Sequence, residues 1–327
     1  MSLVRIGIVG AGYIAGRHVD ALSTLDDVRV VAVTDPQRDR AERLAARAAA
    51  GRPDGGPAPR VCDDAAAVLD AGVDGLYLCV PPAEHGPLEE DALGRGVPIL
   101  VEKPLATDLP TAERIAARVA ATGTPAAVGY HWRYLDTVER AAELLVTAPP
   151  RLVVGAWLDK APGTPWWPWR ERSGGQLVEQ VTHLFDVARL LAGEVADVQT
   201  FGTRAPEGPG DVLHATAAAV RFERGAVGSF TSTCLLRRGY RIGIEFHAAG
   251  LSVALTERDL TVDDGSGPVL TPAAVDPFVA EDAAFVAALR GQEGTLRAPY
   301  AEALRSHRLA LAVSESADRS AGLEAGR

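Results

Sequence analysis

The sequence predicts two architectures in succession: an α/β doubly wound parallel sheet, then an α+β region built on an open, mostly antiparallel sheet with helices. Three observations carry this. From Leu3 to Gly129, short apolar runs alternate with helix-length stretches, the pattern of strands covered on both faces by helices. From Arg151 onward, strand-like runs follow one another, with Arg224-Gly225 and Ala249-Gly250 as tight turns between neighbours. A glycine-rich turn, Gly10–Ala15, stands where the first apolar run feeds a helix. With 327 residues, 47% of them hydrophobic, the chain can bury two cores, and the change of pattern divides it into residues 1–129 and 130–327.

The elements follow in order. Leu3–Val9 is a strand buried on both faces, and GAGYIA opens a helix that runs to about Leu25. In this turn Gly10 permits the tight bend, and Gly12 lets a pyrophosphate approach the backbone. Ala15 is small enough for close helix–strand packing. The first helical residues, Tyr13 and Ile14, would offer free N–H groups to the phosphates. Val28–Thr34 is the second strand, and Asp35 ends it where a carboxylate accepts from ribose hydroxyls. A carboxylate there repels a 2′-phosphate, so NAD is expected, while nearby Arg38 and Arg40 leave NADP open. A plain turn role before Pro36 is the alternative for Asp35. A helix over Arg38–Ala50, a loop at Gly51–Pro59 and a strand at Arg60–Cys62 come next. A helix at Ala65–Ala71 and a strand at Gly75–Val80 follow, with Pro81, Pro82 and His85 at that strand's end. Ile99–Leu100 lies in a buried strand, Thr111–Ala121 is a helix, and Ala126–Gly129 closes the series. Ligands on such sheets bind beyond the strands' carboxyl ends, where Gly10, Asp35, Pro81 and Lys103 all fall.

Lys103 stands out by composition. Of 33 cationic side chains only Lys103 and Lys160 are lysines. Arginine is charged at any working pH, whereas an ammonium can be tuned to share in proton transfer. A lysine between Glu102 and Pro104 at a strand end is therefore read as the reactive centre, a structural ion pair being the other reading.

In the second region, Tyr130 and Arg133 lead into a helix to about Val146. Strands are expected at Leu152–Leu158, Val195–Thr203, Leu213–Glu223, Ala226–Leu235, Arg241–Ala248 and Leu251–Thr256. Helices at Pro277–Leu289 and Tyr300–Ser316 close the chain, with a frayed end after them. Glu179 and His183 are four residues apart on an expected helix, so they would share a face, and a carboxylate beside an imidazole can orient it for proton abstraction. An exposed helical pair of little weight is the alternative. A metal site there lacks a third ligand at helical spacing, and none is expected. All five tryptophans fall between Trp132 and Trp169. Trp166 and Trp167, with Lys160, would suit a small polyhydroxylated ligand, or else pack a loop or an oligomer contact.

The net charge of −10 argues against nucleic acid or an anionic membrane as partner. No apolar run nears the roughly 20 residues of a membrane span, and no leader pattern precedes the first strand. Three widely spaced cysteines, Cys62, Cys79 and Cys234, are expected to be reduced thiols of a cytoplasmic protein.

Taken together, GAGYIA, Glu102-Lys103-Pro104, Gly129-Tyr130 and the Ser173–Asp186 segment with His183 resemble the glucose–fructose oxidoreductase/inositol dehydrogenase (Gfo/Idh/MocA) family over nearly the whole chain. The resemblance implies a Rossmann domain and an open sheet often used to form dimers or tetramers. It also implies NAD- or NADP-dependent oxidation of a hydroxyl on a sugar, cyclitol or related compound. Carried over by position, Lys103 and His183 are the catalytic pair, with Glu179 where Asp is frequent. Glu102 and Pro104 would aim Lys103, and Pro81, Pro82 and His85 would line the nicotinamide end. Pro82 and His131 replace frequent asparagines, and Ser173 and Val181 frequent glycines, which leaves the substrate open. A redox-neutral elimination or glycoside cleavage that borrows NAD, and a non-enzymatic sensor of nicotinamide or sugar, are the alternative functions.

Overall fold

The computed structural model describes residues 3–51, 56–205 and 209–322. Part of the expected Gly51–Pro59 loop and the end expected to fray lie outside the described residues. The first strands and helices alternate: β1 (Val4–Val9), α1 (Tyr13–Ser23), β2 (Val28–Thr34), α2 (Arg38–Ala50), β3 (Arg60–Val61), α3 (Ala65–Leu69) and β4 (Gly75–Leu78). The series continues with α4 (Pro87–Gly94), β5 (Ile99–Val101), α5 (Leu109–Thr122) and β6 (Ala126–Val128). All six strands are parallel, in the order β3-β2-β1-β4-β5-β6. The order reverses between β1 and β4, and such a switch point opens a crevice at the strands' carboxyl ends.

The rest of the chain contains α6 (Asp136–Thr147), β7 (Leu152–Leu158), α7 (Arg170–Ser173), α8 (Gln176–Glu179) and α9 (Thr182–Ala192). Then come β8 (Val195–Thr203), β9 (Ala215–Phe222), β10 (Val227–Thr233), β11 (Arg241–Ala248), β12 (Leu251–Leu255), β13 (Asp259–Asp263) and β14 (Val269–Pro272). Helices α10 (Pro277–Leu289) and α11 (Tyr300–Ser320) end it. The eight strands form one sheet, ordered β14-β13-β12-β11-β7-β10-β9-β8. Every pair is antiparallel except β7 with β10, which are parallel because α7–α9, β8 and β9 intervene as a crossover. Two strands were not foreseen. Asp259–Asp263 and Val269–Pro272 flank DDGSGP, a turn-rich composition that hides an edge hairpin.

The chain divides into two compact units. The first joins residues up to Ala106 and Pro110–Tyr134 with the late segment Asp276–Leu304; the second holds Leu135–Val275 and Arg305 onward. Within the first unit, Ile6, Ile8, Val30, Val33, Leu100 and Ala127 of the sheet share a core with Phe285 and Val286 of α10. In the second, residues of one parity (Val153, Phe230, Phe246, Val253) are buried, and α9 packs on β7 and β11. The opposite face is open: Phe201 and Val227 are more than half exposed. No described helix is long and apolar enough to cross a membrane.

Candidate active site

The first unit carries its candidates at the carboxyl ends of its strands. After β1, Gly10 adopts φ +90°, and a Cβ there would lie 2.3 Å from the Cys79 carbonyl oxygen, so only glycine fits the turn beside β4. Gly12 precedes α1 with no side-chain cap, and a Cβ added there would meet nothing within 4 Å. The helix thus presents uncapped N–H groups to open space, the geometry that takes a phosphate. Tyr13 is exposed, and Ile14 packs against the core. Asp35 closes β2, and both its oxygens are in use. Oδ2 accepts from the Ala11 N–H at 2.8 Å and Oδ1 from the Gln37 N–H at 2.8 Å. It thereby latches the glycine turn, and the remaining lone pairs can still accept from a ribose. Arg38 is committed to Glu42 at 3.2 Å and Asp63 at 3.0 Å. These residues fit a dinucleotide whose pyrophosphate sits over Gly12.

Pro81 and Pro82 follow β4. His85 Nδ1 lies 2.6 Å from Glu89, whose other oxygen accepts from the Gly86 N–H. His85 is thus held in the loop after that strand. After β5, Glu102 is buried and Lys103 partly so, with a cis bond between Lys103 and Pro104. The Lys103 N–H donates to Glu102 Oε2 at 3.2 Å, and Glu102 Oε1 lies 3.1 Å from His18 Nε2. Gly129, after β6, leaves room for this carboxylate, since a Cβ there would come within 2.4 Å of Oε1. Burial opposes ionisation of Glu102, yet the hydrogen bond and charge of His18, then Lys103 and His131, hold its pKa below the ordinary value. Tyr130 is buried beside Gly129. Arg133 turns inward and donates to the Arg297 carbonyl at 2.9 Å and to Glu302 at 3.3 Å.

The second unit carries the other group. Glu179 and His183 do not lie on one continuous helix as the spacing suggested. Glu179 ends α8 and His183 lies in the first turn of α9, because the Gln180 and Val181 N–H groups both bond to the Gln176 carbonyl and a new register starts at Thr182. Glu179 accepts from Trp167 Nε1 at 2.9 Å. Trp167 is buried with Val212 and Cys234 against partly buried Trp166, so its indole packs the loop and steers the carboxylate. His183 is buried and stacks with Trp157, ring centroids 6.0 Å apart. Lys160 is exposed on a short bridge to Leu235.

The sequence reading passed over the groups that surround Glu102. His18 Nδ1 lies 2.8 Å from Asp282 on α10, and His18, Glu102 and Glu281 bring acid or imidazole atoms within 4.8 Å of one another. Burial disfavours the His18 charge, but Asp282 and then Glu102 outweigh it and raise the imidazole well above 6.5. A trace existed: His18 sits on the apolar stripe of α1 with Ala15, Val19 and Leu22, and Glu281 and Asp282 sit on that of α10 with Phe278, Phe285 and Val286. Charged residues at inward positions mark a buried network.

Comparison with known proteins fits this construction. Residues 4–130 match the family model of oxidoreductases with an NAD-binding Rossmann fold, and residues 149–252 match the GFO/IDH/MocA C-terminal domain. Inositol 2-dehydrogenase of Mycolicibacterium gilvum is 30% identical over 228 residues, 68% of this chain and 62% of that protein. The alignment therefore spans less than two thirds of that relative. The NAD(+)-dependent scyllo-inositol 2-dehydrogenase of Bacillus subtilis is 29% identical over 74% of this chain and 70% of its own. A levoglucosan dehydrogenase, solved with NADH and levoglucosan, shares the fold with a TM-score of 0.84 over 98% of both chains at 20% identity. With both regions matched in order, the chain belongs to the GFO/IDH/MocA family of oxidoreductases.

Proposed function

We propose that this protein transfers hydride between a nicotinamide cofactor and a secondary alcohol or ketone of a small polyhydroxylated compound, a sugar or cyclitol. The observation that carries the reading is the placement of Lys103 after β5, in the same row of strand ends as the uncapped α1 turn after β1. Bound NAD supplies the hydride acceptor in oxidation, and its reduced form the donor in reverse. In oxidation His183 takes the hydroxyl proton, and Lys103 holds the same oxygen and stabilises its developing negative charge. Glu179, held by Trp167, orients His183. In reduction Lys103 and His183 polarise and protonate the carbonyl. Asp35 favours NAD by its charge, and Pro81, Pro82 and His85 border the nicotinamide end. Tyr130, Lys160 and Trp166 contribute to the substrate side, while Arg133 and Trp167, each buried and hydrogen-bonded within its own unit, contribute by packing.

Residues 1–129 then serve the cofactor, with the late segment Asp276–Leu304 completing their core, and the remainder serves substrate and assembly. The open face of the eight-stranded sheet, with Phe201 and Val227 exposed, suits self-association as a dimer or tetramer. The three buried free thiols suit the cytoplasm.

The test is absorbance of reduced nicotinamide when the protein meets NAD or NADP with a panel of cyclitols, aldoses, sugar acids and glycosides. A substrate-dependent rise that prefers NAD is expected. Consumption of substrate without reduced nicotinamide would replace this reading with a redox-neutral one. Binding of cofactor without turnover in either direction would replace it with a sensor.

A further inference from the structure

The buried charges of the first unit lie outside the reaction just described. His18 is fully buried on α1, the helix whose first turn is proposed to take the cofactor's phosphates. Its two ring nitrogens are spent on two carboxylates, Asp282 at 2.8 Å and Glu102 at 3.1 Å. Glu102 in turn accepts from the Lys103 backbone N–H. The ring is boxed by the edge of Tyr77 at 5.1 Å and of Phe278 at 5.6 Å, which fix its plane. Arg17 of α1 lies over the ring of Phe278 on α10 at 4.4 Å and pairs with Asp276, the α10 N-cap, at 3.6 Å, so the helix that brings Asp282 is itself anchored to α1.

We infer that His18 and Asp282 are positioning residues for Lys103: the Asp282–His18–Glu102 chain holds the Glu102 carboxylate that fixes the backbone from which Lys103 projects, and so ties the cofactor-binding helix to the reactive lysine. The inference rests on the reading of Lys103 given above. Without His18, Glu102 would face Glu281, Asp282 and Cys79 with Lys103 as its nearby cation. Burial and the neighbouring charges push the Glu281 carboxyl well above its ordinary range, and among the described residues no donor reaches either of its oxygens. Burial thus disfavours a charged Glu281, and it makes no hydrogen bond to His18. That leaves the imidazole to Asp282 and Glu102.

The experiment compares His18→Leu, His18→Gln, Asp282→Asn and the control Glu281→Gln with the parent protein. Each is first checked by thermal melting and by NADH binding through fluorescence. With whichever panel compound the parent oxidises, His18→Leu should lower kcat by about 10- to 100-fold with the KM for NAD within about twofold, a loss confined to the transition state. His18→Gln keeps an N–H for Glu102 and should recover part of the loss; Glu281→Gln should match the parent. If only stability falls, or if kcat and KM for NAD move together, the positioning role is overturned. Should His18→Leu not fold, Asp282→Asn and His18→Gln decide the same point.

Acylation by acetic anhydride, read by mass spectrometry, supplies a readout that needs no substrate. Lys160 is the one other lysine and serves as internal reference. In His18→Leu the Lys103-to-Lys160 labelling ratio should move at least about threefold toward that of the urea-unfolded chain, as a released side chain would. An unchanged ratio overturns the inference. Lys103→Met keeps the two ideas apart. If it stays active, the catalytic reading falls. If it is dead while His18→Leu is normal, only the clamp falls.

Discussion

Two carboxylates flank the proposed catalytic groups, and the molecule holds them by different physics. In the first unit Glu102 is buried and answered by an imidazole that a second carboxylate grips from behind. In the second unit Glu179 is held by a neutral donor, the Trp167 indole N–H. An ionic clamp is rigid and costly to break, because removing one partner strands a charge in low dielectric. A hydrogen bond from a neutral donor contributes less than a buried charge pair. The difference teaches that the carboxylate beside Lys103 is fixed by buried charge, whereas the one four residues before His183 takes an indole donor from a loop.

The largest effect that would break this contrast concerns the reaction itself. Lys103→Met should lower turnover by orders of magnitude with NADH binding nearly kept, measured by steady-state rates and fluorescence titration. Next comes stability. Glu102→Ala should cost about 3–5 kcal/mol in denaturant unfolding, since it leaves the buried Nε2 of His18 without its carboxylate. Trp167→Phe should cost only about 1 kcal/mol by the same measurement. Equal losses would erase the distinction between the two carboxylates.

The clamp also carries a pH dependence of definite sign. His18 titrates well above 6.5 in the folded chain, so its contribution is complete below that ordinary value and is lost as pH rises through the raised one. Glu281, raised well above 4.5, acts in the same direction: its contribution is present at low pH and fades as pH climbs through its folded value. Urea midpoints should therefore fall from neutral to alkaline pH, and Glu281→Gln, which has no proton to lose, should show a shallower slope. A midpoint that rises with pH over that range would contradict the assignment. The smallest effect lies on the open sheet face. Phe201→Glu should leave the unfolding midpoint within about 0.5 kcal/mol, as exposed sites do. It should reduce the mass seen by light scattering if that face joins protomers.

Much of this was legible in the chain. The strand–helix alternation, the GAGYIA turn and the unusual lysine led to the six parallel strands and to Gly10, Asp35 and Lys103 at their ends. Local pattern suffices there, because each strand pairs with neighbours through short connections. The Glu179–His183 spacing was legible, but the register break at Gln180–Val181 was not, since the helical period runs through it without a proline or glycine. The Asp259–Asp263 and Val269–Pro272 hairpin was hidden by its turn-rich composition. The clamp was hidden by distance: His18 and Asp282 lie 264 residues apart, and no periodicity links them.

The return of Asp276–Leu304 to the first unit sets the order in which that unit can be completed. During synthesis the six parallel strands emerge long before α10, so Ile6, Ile8 and Leu100 wait for Phe285 and Val286 with part of their core uncovered. A fragment cut at the change of pattern near Gly129 would carry that gap permanently, with a His18 that keeps Glu102 but has lost Asp282. Anyone expressing the nucleotide-binding half alone should therefore graft the late helix back onto it.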